Sequence, residues 1–230
     1  MTQIYCDIAD IKVIKKFNKK KIVKGFTTNP SLMRKAGAKN YSEYLKKIVN
    51  ITNKPVSFEI FADDEKNMIL QGIKINKLGN NIYVKVPICN SKGSFTGKVI
   101  KKLNSKKIKL NITAVYDLNQ VKKILKNINK NTEVIISIFA GRMADVGINP
   151  VPIFKKSISI SKNFKNVKIL WASTREVYNY YQASKLNCHL ITIPPAIIEK
   201  IESFGKTAKD LTIETVKGFL TDSKKSNFKI

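Results

Sequence analysis

Short runs of apolar and β-branched residues recur along the chain, and longer amphipathic segments separate them. Runs of this kind favour strands because branched and aromatic side chains fit a pleated, buried surface. They predict eight β-strands, at residues 3–7, 22–27, 55–61, 82–88, 107–113, 134–139, 167–172 and 189–193. The segments between them place apolar residues at helical spacing, as Ile48 and Ile51 or Val121 and Leu125 illustrate. Strands that alternate with helices indicate βα units and a parallel sheet.

Such a parallel sheet can be arranged in two ways, as an open, doubly wound sheet or as a closed, eight-stranded barrel. The count of eight strands and the length of 230 residues favour a single-domain (β/α)8 TIM barrel of the α/β class. No linker rich in Pro, Gly or Ser divides the chain. We therefore expect one catalytic domain over residues 1–222, with closing helices at 196–204 and 209–221, followed by a frayed tail at 223–230.

Polar residues interrupt these strands or follow their carboxyl ends. Lys85 lies in the run IYVKVPI, and Glu59 lies in another apolar run. A buried parallel strand is nearly continuously apolar, so each polar residue costs desolvation unless it is used. In a TIM barrel the carboxyl ends of the strands carry the active site. The other candidates at these ends are Asp7, Thr27, Asn29, Asn111, Thr113, Ser137, Arg142, Ser173 and Arg175.

These residue types suggest covalent chemistry on a phosphorylated carbonyl compound. Burial disfavours the ammonium form of Lys85, so that a neutral amine becomes available to attack a ketone. Glu59 and Asp7 are then candidates for proton transfer, and Arg142 and Arg175 offer forked donors for a phosphate. Structural roles stay open: a snorkelling Lys85, a buried ion pair between Lys85 and a carboxylate, and ion pairs of the arginines at the barrel rim.

The charge is the most unusual feature of the composition. Forty-three Lys and Arg against 16 Asp and Glu give a formal net charge of +27. The lysines are spread along the whole chain as pairs and triplets, and no aromatic and basic RNA-binding signature accompanies them. This distribution predicts a solvated surface and no specific nucleic-acid partner.

Metal, disulfide and membrane functions have little support. The only histidine, His189, begins the eighth strand, at the end of the barrel that serves stability. The three cysteines are widely spaced without a CxxC pair, which suggests reduced core thiols. No basic-then-apolar stretch precedes a cleavage site near the N-terminus, so we expect no signal peptide, and no apolar run approaches the roughly 20 residues of a membrane span. We expect a cytoplasmic protein without metal or membrane partner.

Six short motifs, in order along almost the whole chain, carry a resemblance to a known family. They are TTNPS at 27–31, VKVP at 84–87, NIT at 111–113, SIFAGR at 137–142, ASTR at 172–175 and TIPP at 192–195. The pattern resembles the transaldolase and fructose-6-phosphate aldolase family. The resemblance implies a TIM barrel that uses neither cofactor nor metal and acts on sugar phosphates through a lysine Schiff base. It also implies a homo-oligomer, commonly a ring of ten subunits in compact members.

The resemblance assigns a role to each candidate residue. It makes Lys85 the imine-forming lysine and Asp7 the group that takes and returns the hydroxyl proton. Glu59 and Thr113 match the pair that holds a proton-shuttling water. The positions that match substrate contacts are Thr27, Asn29, Asn111, Ser137 and Phe139, and those that match phosphate contacts are Arg142, Ser173 and Arg175.

Three functions remain as alternatives: a transaldolase, a fructose-6-phosphate aldolase on the same scaffold, and a basic nucleic-acid-binding barrel without catalysis. By similarity, transaldolases carry Glu and Phe at the positions of Glu59 and Phe139, where the aldolases carry Gln and Tyr. The sequence therefore favours the transferase, active on a ketose phosphate and an aldose phosphate in the pentose phosphate pathway.

Overall fold

A closed barrel of eight parallel strands forms the centre of the protein. The computed structural model describes residues 1–201 and 204–226. Each strand pairs in parallel with the next, and the eighth pairs with the first. The predicted (β/α)8 TIM barrel is confirmed. The strands are β1 Gln3–Asp7, β2 Val23–Thr27, β3 Val56–Glu59, β4 Ile82–Pro87, β5 Leu110–Val115, β6 Val134–Phe139, β7 Val167–Ala172 and β8 Leu190–Ile193.

Helices surround the barrel and connect its strands. Five of them begin after an Asp or Asn whose side chain accepts a hydrogen bond from a backbone N–H of the first turn; these capping residues are Asp10, Asn29, Asn40, Asp64 and Asp117. In the described part of the chain the helices are α1 Ile11–Asn18, α2 Pro30–Lys35, α3 Tyr41–Val49, α4 Glu65–Asn76, α5 Gly97–Ser105, α6 Leu118–Leu125, α7 Ala140–Ala144, α8 Val151–Ser161, α9 Tyr178–Lys185, α10 Pro195–Ile201 and α11 Ala208–Ser226.

The element boundaries differ most from the prediction at β5 and at the closing helices, where Phe204, expected at the end of the helix 196–204, lies in a turn. Strand β5 was expected from residue 107, yet it begins at Leu110, because Lys107 takes a left-handed φ of 61° in the turn that ends α5. Helix α11 continues to Ser226, so residues 223–226 of the expected tail are helical. Residues 227–230 of that tail lie outside the described residues.

Side chains of the barrel alternate between two cores. An outer core packs the strands against the helices, and Trp171 stacks on Phe154 there with ring centroids 4.3 Å apart. An inner core fills the lower half of the barrel with Tyr5, Tyr83, Ile135, Leu170 and Leu190, and Ala172 extends it to the carboxyl end of β7. Gly25 is required beside it, since a Cβ at that position would lie 2.6 Å from the Tyr5 ring.

This inner core determines where polar side chains can gather. Strand side chains alternate with a period of two, so the residue two positions further along each strand points to the same interior. From Tyr5, Tyr83, Ile135 and Leu190, that step leads to Asp7, Lys85, Ser137 and Thr192. The carboxyl half of the barrel interior is therefore polar and stands on an apolar floor.

Candidate active site

Lys85 points into the barrel from β4 and is 7% exposed. Its Nζ lies 3.1 Å from Oε2 of Glu59 on β3, and the two residues are register partners. The same Nζ donates a hydrogen bond to the backbone oxygen of Thr28 at 3.1 Å. The structure thus excludes a lysine that snorkels to solvent and shows the ion pair with Glu59, which places a carboxylate beside the amine.

Asp7 is the last residue of β1, and its register partner on β2 is Thr27. The Thr27 hydroxyl donates a hydrogen bond to Oδ1 of Asp7 at 2.6 Å. Burial raises the pKa of the Asp7 carboxyl above its ordinary value, and the negative charge of Glu59 acts in the same direction. Lys85 and the Thr27 hydroxyl oppose this rise. A carboxyl with a raised pKa is a stronger base once ionised, which suits a group that takes a proton from a hydroxyl.

A buried chain of hydrogen bonds lies behind the lysine. Ser137 donates to Oδ1 of Asn111 at 2.6 Å, and Nδ2 of Asn111 lies 3.0 Å from the Ser57 hydroxyl. The amide of Asn111 is therefore engaged on both sides. Thr113, two residues on, is 2% exposed, and its hydroxyl has no hydrogen-bond partner among the described residues. The described residues therefore leave both the donor and the acceptor capacity of this buried hydroxyl unused.

The two arginines lie on the opposite wall, after β6 and β7. Arg175 pairs with Asp145, its Nε 3.1 Å from Oδ1, and the guanidinium holds the pKa of the Asp145 carboxyl below its usual range. Gly141 lets the two loops approach closely, because a Cβ there would lie 1.7 Å from the backbone oxygen of Ser173. Ser173 itself has a left-handed φ of 63°, a costly conformation that tends to occur at functional sites. Arg142 is exposed at the same wall.

A cavity of about 230 Å³ opens among these groups. It is large enough for a small sugar derivative, and its walls combine one amine, one carboxyl and two guanidinium groups. Of the twelve predicted site residues, nine line it: Asp7, Thr27, Asn29, Lys85, Ser137, Phe139, Arg142, Ser173 and Arg175. The remaining three, Glu59, Asn111 and Thr113, lie behind this lining, next to Lys85 or Ser137 or on the adjoining strand.

The structure adds residues that the sequence analysis did not select. Thr192 and Thr174 line the cavity, and Asp145 holds Arg175. Ser57 contacts Asn111, and the backbone oxygen of Thr28 accepts a hydrogen bond from Lys85. The alternation along β8 was a signal for Thr192, because it follows the apolar Leu190 by two positions. Nothing in the sequence indicated the contact between Asp145 and Arg175, which are 30 residues apart.

The described residues form no comparable site for metal binding or for catalysis by histidine or cysteine. The described residues contain no group of three or more His, Cys, Asp or Glu side chains that could hold a metal ion. His189 accepts a hydrogen bond at Nδ1 from the backbone N–H of Ile169 at 3.0 Å, which is a structural contact. Burial raises the pKa of the Cys188 thiol to about 12 and raises that of Cys6 as well, so neither supplies a thiolate nucleophile. None of the described helices is long and apolar enough to cross a membrane.

Comparison with known proteins gives a consistent result. The family model described as Transaldolase/Fructose-6-phosphate aldolase matches residues 4–230. A protein of Brucella anthropi named "Probable transaldolase" is 34% identical over 230 residues, 99% of each chain. A protein of the same name from Nitrosopumilus maritimus is 32% identical over 201 residues, 86% of each chain. Another, from Thermoanaerobacter sp., is 28% identical over 229 residues.

Proposed function

The chain belongs to the transaldolase/fructose-6-phosphate aldolase family, because the family model covers nearly all of it, and we propose that it is a transaldolase. It transfers a dihydroxyacetone unit from a ketose phosphate, sedoheptulose 7-phosphate or fructose 6-phosphate, to an aldose phosphate. The reaction belongs to the pentose phosphate pathway and requires neither metal nor cofactor.

The position of Lys85 carries this proposal. Its amine lies in a cavity with a carboxyl on one side and two guanidinium groups on the opposite wall. The ion pair with Glu59 gives the ammonium a nearby acceptor for its proton, 3.1 Å away. A neutral amine formed in this way can attack the ketone of a sugar whose phosphate lies against Arg142 and Arg175.

The chemical steps can be assigned to the residues of the site. Lys85 adds to the C2 carbonyl of the donor ketose, and the carbinolamine loses water to give an imine. Glu59, with a water held at Thr113, supplies and takes up the protons of this step. Asp7 then removes the C4 hydroxyl proton, and the C3–C4 bond breaks. C4 becomes the carbonyl of an aldose phosphate, which leaves, and the electron pair of the broken bond enters the imine to leave an enamine on Lys85. The acceptor aldehyde reverses these steps, and hydrolysis releases the new ketose.

Phe139 favours transfer over simple cleavage, and Glu59 does so by its similarity to the transaldolases. To release free dihydroxyacetone, an acid must protonate the enamine carbon before water opens the imine. Phe139 lines the cavity and has no proton to donate, whereas a Tyr there could serve as the acid. The enamine therefore waits for an aldehyde acceptor, which is the behaviour of a transferase.

A coupled assay with fructose 6-phosphate, run with and without erythrose 4-phosphate, tests the proposal. We expect fast turnover only when the acceptor is present. Borohydride added with fructose 6-phosphate should inactivate the enzyme and leave an adduct on Lys85 in a peptide map. Equal rates without the acceptor identify a fructose-6-phosphate aldolase, and an adduct on another lysine contradicts the mechanism.

The exposed C-terminal helix supports a homo-oligomer. All residues of α11 are exposed, and four large apolar side chains share one side of it: Ile213, Val216, Phe219 and Leu220. An apolar stripe of this kind normally packs against a partner. We propose that it docks on a second copy of the chain in a homo-oligomer, which the family resemblance makes a ring of ten.

Light scattering after size exclusion tests the assembly. Phe219→Glu should lower the molar mass of the particle, because it places a charge in the apolar stripe. Thr221→Glu adds the same charge on the opposite side of the helix and should leave the mass unchanged. A monomeric wild type would contradict the proposal.

The free thiols of Cys6, Cys89 and Cys188 are compatible with a cytoplasmic location, which we also propose.

A further inference from the structure

Three side chains on neighbouring strands form a continuous chain of short hydrogen bonds beside the lysine. Thr27 on β2 donates to Asp7 on β1 at 2.6 Å. The Thr27 hydroxyl also lies 2.5 Å from the hydroxyl of Thr192 on β8. Thr27 and Thr192 are 2% and 6% exposed, so both hydroxyls are largely shielded from bulk water. The chain runs from the cavity wall to the carboxyl group that the proposed mechanism uses as its base.

The number of protons determines the direction of this chain. A threonine hydroxyl has one proton to donate and two lone pairs that accept. When Asp7 is ionised, it can only accept, so Thr27 directs its single proton to Asp7. The contact between the two hydroxyls must then have Thr192 as the donor. Each donated bond polarises the next, which strengthens the bond from Thr27 to the carboxylate.

We propose that Thr192 is a positioning residue for the proton transfer: acting through Thr27, it keeps Asp7 in the ionised form that accepts the substrate proton. This inference rests on the proposed transaldolase reaction and extends it to a residue that does not touch the reacting atoms. Thr27 engages Oδ1 of Asp7, so the proton from the substrate hydroxyl goes to Oδ2. Thr192 and Thr27 then keep their donor directions while the carboxyl group gains its proton.

The groups around Asp7 act in both directions on its ionisation. Lys85 on β4 favours the ionised carboxyl, whereas Glu59 on β3 and burial disfavour it. Arg142 and Arg175 stand on the opposite wall of the same cavity, after β6 and β7. Strand β8 contributes no ionisable side chain to the lining, and Thr192 is its polar group there. Burial is the largest of these influences, so the hydroxyl chain opposes the main force that would protonate Asp7.

The pH dependence of kcat/KM for transfer tests the proposal. Thr192→Val keeps the shape of the side chain and removes its proton. We expect the acid limb of the profile to move upward by about 0.3–1 pH unit, because polarisation adds only part of a hydrogen bond per member of the chain. Thr192→Ser restores the donor and should return the limb to the wild-type pH. Thr174→Val removes a neighbouring hydroxyl that bonds the Thr192 backbone oxygen at 2.7 Å, and its acid limb should stay in place.

The outcomes separate the two hypotheses. If Thr192→Val lowers kcat/KM by one factor at every pH, or leaves the profile unchanged, Thr192 is structural and the inference is wrong. If the wild type shows no transfer at all, the proposed function is wrong, and urea unfolding as a function of pH still tests the hydroxyl chain. Thr192→Val should then lose more stability as pH rises than the wild type does. In an Asp7→Asn background that extra pH dependence should vanish, and its persistence would overturn the inference.

Discussion

Replacing Lys85 with Met tests how the barrel tolerates three ionisable groups in its interior. The substitution keeps the side-chain length and leaves Glu59, whose partner was 3.1 Å away, without its counter-charge. Loss of one partner from a fully buried pair costs about 3–5 kcal/mol. The Glu59 side chain is 18% exposed to solvent, so water replaces part of the lost interaction. We therefore expect the free energy of unfolding to fall by about 1–3 kcal/mol at about pH 8.

The loss should depend on pH with a definite sign. Lys85 lowers the pKa of Asp7, so its removal raises that pKa further. A carboxyl whose pKa is higher in the folded state contributes no penalty below its unfolded pKa, and stability is lost as pH rises through the folded value. The deficit of Lys85→Met should thus shrink as pH falls towards about pH 5.

Urea unfolding followed by circular dichroism measures this effect. Lys102→Met removes the same charge from an exposed site on α5 and should show no such deficit. Glu59→Gln added to Lys85→Met should recover most of the lost stability, because it removes the unpaired charge. A Lys85→Met variant as stable as the wild type at every pH, or one with a constant deficit, would show that the charges are not coupled.

Three further outcomes follow from the site and the surface. Arg175→Ala should weaken binding of phosphorylated sugars by about 1.5–3 kcal/mol, through a lost charge-assisted contact, and an unchanged preference over unphosphorylated sugars would refute the phosphate assignment. Phe139→Tyr should raise acceptor-independent release of dihydroxyacetone relative to transfer, and an unchanged ratio in the two coupled assays would exclude a proton donor at this position. Duplex DNA should bind the basic surface at low salt and dissociate by about 0.2 M salt; sequence-selective, submicromolar binding that persists there would contradict a purely compositional charge.

The fold was predictable because its pattern is repeated eight times. Seven strands begin and end within two residues of their predicted bounds, since each is a compact run of β-branched residues between polar segments. Strand β5 is the exception. The run from Lys107 has the composition of a strand, but Lys107 bonds back to the Asn104 oxygen in the turn after α5. Local composition does not distinguish a turn of this kind from the first residues of a strand.

The candidate site was predictable where a charged residue interrupts the apolar pattern of a strand. A lysine or a glutamate within an apolar strand is conspicuous, because burial of such a group is costly. Lys85 and Glu59 were selected on that ground, and the structure places them in contact. Asp145 was not selected because it lies outside the predicted strands, six residues after the end of β6. Its contact with Arg175 depends on the close approach of two loops at Gly141, which is a property of the folded chain.

Thr192 shows a different limit of sequence reading. Threonine is β-branched, so in the run LITI it satisfies strand propensity as well as valine would. A search for polar residues out of place therefore passes over its hydroxyl, and only the alternation from Leu190 indicates that it faces the barrel interior. Thr27 differs because Thr28 and Asn29 follow it in a polar run at the end of β2, whereas Thr192 is the only polar residue of LITI. In a closed barrel, both face the same interior from strands on either side of β1, where one hydroxyl can act on Asp7 through the other. The alternation along a strand gives the direction of such a hydroxyl, but its hydrogen-bond partner is known only once the barrel has closed.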